Sequence, residues 1–397
     1  MAETRNKTPN ADRLHIGFFG KRNSGKSSLL NALTGQSISI VSDVAGTTTD
    51  PVYKAMEIHG LGPCVFIDTA GFDDTGELGD IRVQKTRLAA EKTDLAVVVF
   101  SNGDCLEELA WVNTFREKKV PVIAVLNKAD ALSPNVDLTL KEAGAPPLLR
   151  TSVKEGRGIQ ELKEALIRAV PEDFGSHSIT GDLVQEGDLV LLVMPQDIQA
   201  PKGRLILPQV QTIRDLLDKK CLVLSVTTDQ LDQALAALSS PPKLIITDSQ
   251  VFGAVYAKKP KESLLTSFSV LFAAHKGDIQ TYLQGAKAID ALTERSQVLI
   301  AECCTHAPLS EDIGRVKLPR ILRQRVGEGL RVQVVSGTDY PEDLTPYDLI
   351  IQCGACMFNR TYVLSRIDKA VNQHIPITNY GVALAHLTGI LEHVVTT

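Results

Sequence analysis

The sequence predicts an α/β protein, with an N-terminal P-loop domain followed by two smaller α/β domains that carry mainly parallel sheets. Three observations carry that expectation. A short apolar strand, His15–Gly20, runs directly into the phosphate-loop sequence GKRNSGKSS, Gly20 to Ser28. Beyond residue 182, short Val- and Leu-rich runs alternate with amphipathic stretches, the pattern of parallel βα units. At 397 residues the chain is also too long for one ordinary core, and roughly two to three domains are expected.

Composition narrows the class. A net charge of −5 argues against a protein whose main task is gripping nucleic acid, so no nucleic-acid partner is expected. The polar start, Met1 to Arg13, has no apolar stretch of the kind a signal peptide needs. The longest apolar runs, such as Leu95–Phe100 and Leu189–Met194, fall far short of the roughly 20 residues that span a bilayer. Seven cysteines, an odd number, read as metal or catalytic thiols plus buried ones and not as a disulfide framework. The expectation is a cytoplasmic protein with no membrane partner.

Residues 1–172 read as the nucleotide-binding domain. The strand–loop–helix context puts Gly20, Asn23, Ser24, Gly25, Lys26, Ser27 and Ser28 around the phosphates, at a helix N-terminus whose N–H groups and dipole favour negative charge. Lys26 would reach the β- and γ-phosphates, and the Ser27 hydroxyl would bind Mg²⁺. Thr48 in GTTTD (Gly46 to Asp50) is the candidate second hydroxyl on Mg²⁺. Asp68, first residue of DTAG, would hold the Mg²⁺ water shell, and the Gly71 N–H would sense the γ-phosphate. Lys26, Thr48, Asp68 and Gly71 are thus the catalytic candidates. Val122–Leu126 is a buried strand ending in NKAD. There Asp130 can accept two N–H bonds from the guanine edge, which adenine cannot supply. Lys128 would cover the base and Asn127 would tie this loop to the P-loop. Ser152 and Val153 in TSVKEG would offer backbone to the guanine carbonyl. The four motifs, in this order, point to GTP with Mg²⁺.

Phe72 follows DTAG where a water-orienting Gln stands in Ras-like proteins, and an apolar side chain cannot position water. Asn23 and the GTTTD loop resemble the potassium-activated branch of translation-factor-type GTPases. That resemblance implies K⁺ held at Asn23 in place of an arginine finger. The other reading of Asn23 is a tolerated turn residue. The whole domain resembles those of the Era and TrmE kind.

The second domain, residues 182–262, reads as strands at Leu189–Met194, Cys221–Val226 and Leu244–Thr247 with helices at Leu207–Lys219 and Leu231–Leu238. A three-stranded sheet leaves open edges, and pairing them across a two-fold axis is an economical cover, so this is the expected dimerisation domain of a homodimer. A plain spacer is the alternative. In the third, residues 268–397, strands are expected at Gln297–Glu302, Arg331–Val335, Asp348–Ile351 and Ile375–Asn379, with helices at Ile313–Val326, Asn359–Asn372 and Val382–Val394. Ligands collect at the carboxyl ends of parallel strands, where Cys304, Cys353 and Cys356 fall, with His306 beside them. Strand alternation would turn Cys303 the other way, into the core, and Cys64, Cys105 and Cys221 lie in or beside apolar stretches. On residues alone, Cys304, His306, Cys353 and Cys356 suit a structural zinc, and the three thiols suit an iron–sulfur cluster.

Longer stretches resemble one family. They are GTTTDPV, GFDDTGELGDIRVQKT (Gly71 to Thr86), DIQAPKGRLILPQVQTIRDLLD (Asp197 to Asp218), and AECCTHAP with EDIGRVKLPR between Ala301 and Arg320, ahead of CGAC. On these the chain is similar to the FeFe-hydrogenase maturation GTPase (HydF) family across all three domains. The resemblance implies a 4Fe–4S cluster on Cys304, Cys353 and Cys356 in residues 268–397. It also implies a scaffold or carrier that assembles or delivers a transient diiron precursor to apo FeFe-hydrogenase, working with the radical-SAM maturation enzymes. One position departs: Gln352 precedes Cys353 where the family carries His, and an amide is a poor iron ligand. His306 then stands either as fourth ligand or as a partner outside the ligand set. Asp197 is either an exchangeable oxygen ligand or a turn cap. The competing function is an RNA-associated GTPase of the Era or TrmE type with a structural zinc site.

Overall fold

The computed structural model describes residues 8–36, 51–73, 77–132, 136–172, 174–175, 177–196, 203, 205–303 and 313–396. The chain divides into two compact units, Met1–Ser176 and His177–Thr397.

The first unit runs β1 (Leu14–Phe19), α1 (Lys26–Thr34), β2 (Val52–Ile58), β3 (Gly62–Asp68), α2 (Glu77–Glu91), β4 (Leu95–Phe100), α3 (Leu106–Glu117), β5 (Val122–Leu126), α4 (Val136–Glu142), β6 (Leu149–Arg150) and α5 (Ile159–Ala169). The strand order is β2-β3-β1-β4-β5-β6, parallel except for the β2–β3 hairpin. Every residue of β1 and β4 is buried, as expected of central strands covered on both faces. The registers Phe18↔Asp68 and Phe19↔Val98 bring the carboxyl ends of β1, β3 and β4 to one edge, from which the functional loops leave.

The second unit holds two four-stranded sheets. The first contains β7 (Leu189–Val193), α6 (Leu207–Asp218), β8 (Leu222–Val226), α7 (Leu231–Ala237), β9 (Leu244–Thr247), α8 (Phe252–Lys258) and β10 (Leu264–Ser267). Two helices, α9 (Phe268–Lys276) and α10 (Ile279–Ala286), lead to the second. That sheet contains β11 (Gln297–Ala301), α11 (Leu318–Val326), β12 (Arg331–Val335), β13 (Leu349–Gln352), α12 (Arg360–Asn372), β14 (Ile377–Asn379) and α13 (Tyr380–Leu387). The orders are β10-β9-β7-β8 and β12-β11-β13-β14, parallel throughout. Both sheets therefore have one topology. The first strand sits inside, the second beside it on one flank, the third on the other, and the fourth beyond the third.

The observed sheet adds a fourth strand to the three expected from the sequence. Leu264–Ser267 is half polar and too short to signal itself; its Thr266 hydroxyl donates to the Val395 carbonyl at 2.8 Å, so tertiary contacts decide it. Helix α11 begins at Leu318 and not at Ile313, because Ile313–Lys317 forms a wider turn. The closing helix is shorter than expected, ending before Gly389, whose φ of 72° leaves the helical region. Among the described residues no helix is long and apolar enough to cross a membrane.

Candidate functional site

The loop after β1 wraps the start of α1. Gly25 stands at φ 91° as the residue before the helix, and a Cβ there would collide with the Asn127 side-chain amide, so glycine is required twice over. The Lys26 ammonium, 6% exposed, donates to the Gly20 carbonyl at 2.9 Å and the Lys21 carbonyl at 2.8 Å, which points it into the mouth of the loop. Ser27 Oγ donates to Asp68 Oδ2 at 2.6 Å. The two candidate Mg²⁺ groups, from the start of α1 and the end of β3, are thus already in contact. Ser24 Oγ is buried and accepts or donates no hydrogen bond among the described residues. A tight loop at a helix N-terminus, with a buried ammonium and one unsatisfied hydroxyl, fits a phosphate group.

The segment after β3 lies against this loop. Arg22 N–H donates to Asp73 Oδ1 at 2.6 Å, and a Cβ on Gly71 would lie 2.6 Å from Arg22 N and 2.8 Å from Asp73 Oδ1. Only glycine lets this segment approach the loop so closely. Phe72 turns the other way: its ring is buried, stacked 5.8 Å from Trp111 on α3. Asn23 takes φ 58°, a left-handed conformation that Asn tolerates, with its side chain exposed. Thr48 and Asp74 lie outside the described residues.

The loops proposed from sequence to recognise the base, around Asn127 and Ser152, meet the same edge. Asn127 Nδ2 donates to the Ser24 carbonyl at 3.0 Å, and Thr151 Oγ1 donates to Asn127 Oδ1 at 3.0 Å, joining three loops. Lys128, at φ 57°, brings its Cε to 4.0 Å from where a Gly25 Cβ would sit. Asp130 accepts from the Ser152 hydroxyl at 2.7 Å, and that bond holds its exposed carboxyl below the usual range. Ser152 is fixed by paired backbone bonds with Arg157, each 3.0 Å, and Val153 packs on the core beside it. A permanently charged acceptor on a braced loop suits the guanine N–H edge.

Sequence reasoning missed a buried carboxyl here. Glu108 on α3 is 1% exposed, its oxygens find no close hydrogen-bond partner among the described residues, and Lys21 Nζ lies 3.7 Å away. Burial pushes its pKa up to about 7. Lys21 Nζ also donates to Asp104 Oδ2 at 2.8 Å.

In the second unit Cys303 follows the carboxyl end of β11, and Cys353 and Cys356 follow that of β13, two strands whose register is Ala301↔Gln352. Cys353 N–H donates to the Ala301 carbonyl at 3.0 Å. Cys353 Sγ in turn accepts N–H bonds from Cys303 at 3.1 Å and Ala355 at 3.4 Å. Two backbone donors aimed at one sulfur fit a thiolate ligand. Cys356 is half-buried in the same turn, and Lys276, 3% exposed on α9, donates to the Phe358 carbonyl at 2.9 Å and the Cys356 carbonyl at 3.5 Å. Nothing in the sequence pattern marked Lys276.

Cys303 lies in the core as expected, but its thiol does not turn away from the edge. Strand β11 ends at Ala301, so alternation does not extend to residue 303, and the buried Cys303 thiol contacts Cys353 instead of pointing away. That contact and burial push the Cys353 thiol well above its ordinary value. Gln352 is 1% exposed, with its amide nitrogen 3.5 Å from the Tyr282 hydroxyl. Cys64, Cys105 and Cys221 are buried, and burial raises all three thiols. Cys304, His306 and Asp197 lie outside the described residues, among which no three His, Cys, Asp or Glu side chains converge as metal ligands.

Three family models match the chain: a 50S ribosome-binding GTPase over residues 15–128, a hydrogen maturase F dimerization domain over 179–277 and a hydrogen maturase F tetramerization domain over 280–397. The chain is 39% identical over 176 residues to the GTPase Der of Wolinella succinogenes, covering 41% of this chain and 36% of that protein. It is 35% identical over 202 residues to the tRNA modification GTPase MnmE of Paraburkholderia xenovorans, covering 48% and 41%. The chain thus spans less than half the length of these relatives. Among solved structures, Aquifex aeolicus Era bound to GDP and AlF4⁻ matches with a TM-score of 0.36 at 19% identity, covering 57% of this chain and 98% of that one.

Proposed function

Because the chain belongs to the hydrogen maturase F family, matched over both domains that follow its GTPase domain, we propose that it hydrolyses GTP and carries a 4Fe–4S cluster, delivering a diiron precursor to apo FeFe-hydrogenase. The observation that carries this reading is the Cys353 sulfur, held by two backbone N–H groups at the carboxyl edge of a parallel sheet within the matched segment. Cys304, Cys353 and Cys356 would hold the cluster. Three thiolates leave one iron for an exchangeable ligand, and that is the chemistry the cluster supplies: a point where cargo binds and leaves.

On the nucleotide side, Lys26 neutralises phosphate charge, Ser27 and Asp68 hold Mg²⁺ with Thr48, and Gly71 reports the γ-phosphate. Asp130 selects guanine. Asn23 would bind K⁺, which supplies positive charge where Phe72 can supply no polar group. The two matched domains are named for dimerization and tetramerization, which supports a homo-oligomer.

Separate substitutions test the reading. Cys304→Ser, Cys353→Ser and Cys356→Ser should each abolish the electron paramagnetic resonance signal of reconstituted, reduced protein while GTP hydrolysis persists. Lys26→Ala should do the reverse. Purification with stoichiometric zinc and no reconstitutable iron overturns the cluster assignment.

A further inference from the structure

Beyond the thiols proposed as ligands, the edge holds one more. Cys303 is 6% exposed, donates its N–H to Cys353 Sγ at 3.1 Å, and has its thiol in hydrogen-bonding contact with the Cys353 side chain. The two residues leave neighbouring parallel strands just past the register Ala301↔Gln352. By that register Cys303 lies one position beyond the residue opposite Cys353, and its N–H reaches the Cys353 sulfur at 3.1 Å, so the two side chains start from adjoining backbone. The backbone holds the pair in place, since Cys353 N–H is bonded to the Ala301 carbonyl at 3.0 Å.

We propose that Cys303 and Cys353 are a redox pair, which a small-molecule disulfide oxidises to an intramolecular Cys303–Cys353 disulfide that blocks loading of the metal site. One cysteine thiolate attacks the small disulfide, forms a mixed disulfide and releases one small thiolate. The second cysteine thiolate attacks the protein sulfur of that mixed disulfide and expels the other small thiolate. The cysteine pair loses two protons and two electrons, and the small disulfide is reduced to two thiols. Cys353 can then no longer serve as a thiolate ligand until a reductant reopens the bond. This consequence for metal loading, though not the disulfide itself, rests on the proposed ligand role of Cys353.

The test uses the full chain, free of cluster, treated anaerobically with oxidised glutathione and then alkylated. Mass spectrometry of the digest should find one cross-link joining the peptides that contain Cys303 and Cys353. Uptake of iron and sulfide should be lost in parallel and restored by dithiothreitol. Cys303→Ala, treated alike, should keep the uptake of reduced wild type. A link from Cys353 to Cys356 or Cys304, or glutathione adducts alone, overturns the pair, and the wild-type digest decides this without any variant. The gate also fails if oxidised Cys303→Ala loses uptake as completely as wild type. A Cys303–Cys353 link that leaves iron uptake intact confirms the pair and instead removes Cys353 from the ligand set.

Discussion

The Asp73 carboxylate accepts the Arg22 N–H at 2.6 Å, so a side chain from the segment after β3 occupies a backbone donor of the phosphate loop. A γ-phosphate bound at Gly71, as proposed, would compete for the same crowded space, because Gly71, Asp73 and Arg22 lie within contact of one another. A hydrogen bond to a charged group is worth about 1.5–3 kcal/mol. Asp73→Ala should therefore raise affinity for a non-hydrolysable GTP analogue about tenfold relative to GDP. Fluorescence titration with both nucleotides measures this ratio. An equal change for both would mean that Asp73 does not compete with the γ-phosphate.

Trp111, the chain's one tryptophan, lies 5.8 Å from the Phe72 ring and 5.4 Å from Phe19. The side chain that follows DTAG is thus a core residue. Phe72→Ala should cost about 3 kcal/mol, read by urea unfolding. GTP hydrolysis per folded molecule, in K⁺, should hold at the wild-type rate. Exchange of GDP for a GTP analogue should change Trp111 emission in wild type and much less in the variant.

The first unit was the most legible part of the sequence, because its chemistry sits in contiguous motifs: GKRNSGKSS, DTAG and NKAD each carry their own loop geometry. The Asn127–Ser24 bond at 3.0 Å is one that spacing alone suggests. What escaped depends on tertiary packing. Leu264–Ser267 has no apolar run and becomes a strand only against β9, and Cys303, buried as expected, nevertheless faces Cys353 because β11 ends before alternation reaches it. Glu108 and Lys276 lie on helices whose pattern gives no sign that a charged group will be buried; each is at most 3% exposed.

Potassium should stimulate hydrolysis severalfold over sodium at equal ionic strength, and Asn23→Ala should erase the difference while GTP still binds. The motivation is the exposed Asn23 in the phosphate loop, together with the absence of a polar side chain at Phe72. Equal rates in the two salts would leave Asn23 as a turn residue that tolerates φ 58°.

Glu108 sets a pH dependence. Burial raises its pKa from 4.5 to about 7, with Lys21 at 3.7 Å only partly offsetting the cost of a buried charge. The folded protein therefore holds this proton more tightly than the unfolded chain. The stabilisation is complete below pH 4.5 and is lost as pH rises through about 7. Glu108→Gln should remove this decline, so that urea midpoints read from Trp111 emission differ less between pH 5 and pH 8 than in wild type. An unchanged pH profile would mean that Glu108 stays ionised beside Lys21.

Lys276 places a buried ammonium against the turn that carries Cys356, bonded to the Phe358 carbonyl at 2.9 Å and the Cys356 carbonyl at 3.5 Å. A cation there favours thiolates and, with a cluster bound, favours its more negative reduced form. Lys276→Met should lower the midpoint potential of the reconstituted cluster and weaken iron retention, and GTP hydrolysis should be unaffected. Lys276→Arg, which keeps the charge, should recover most of the potential even where its fork fits the two carbonyls poorly. A purely structural lysine gives a different pattern: both variants lose iron together with thermal stability, and whatever cluster remains keeps the wild-type potential. Redox titration followed by electron paramagnetic resonance separates the two outcomes.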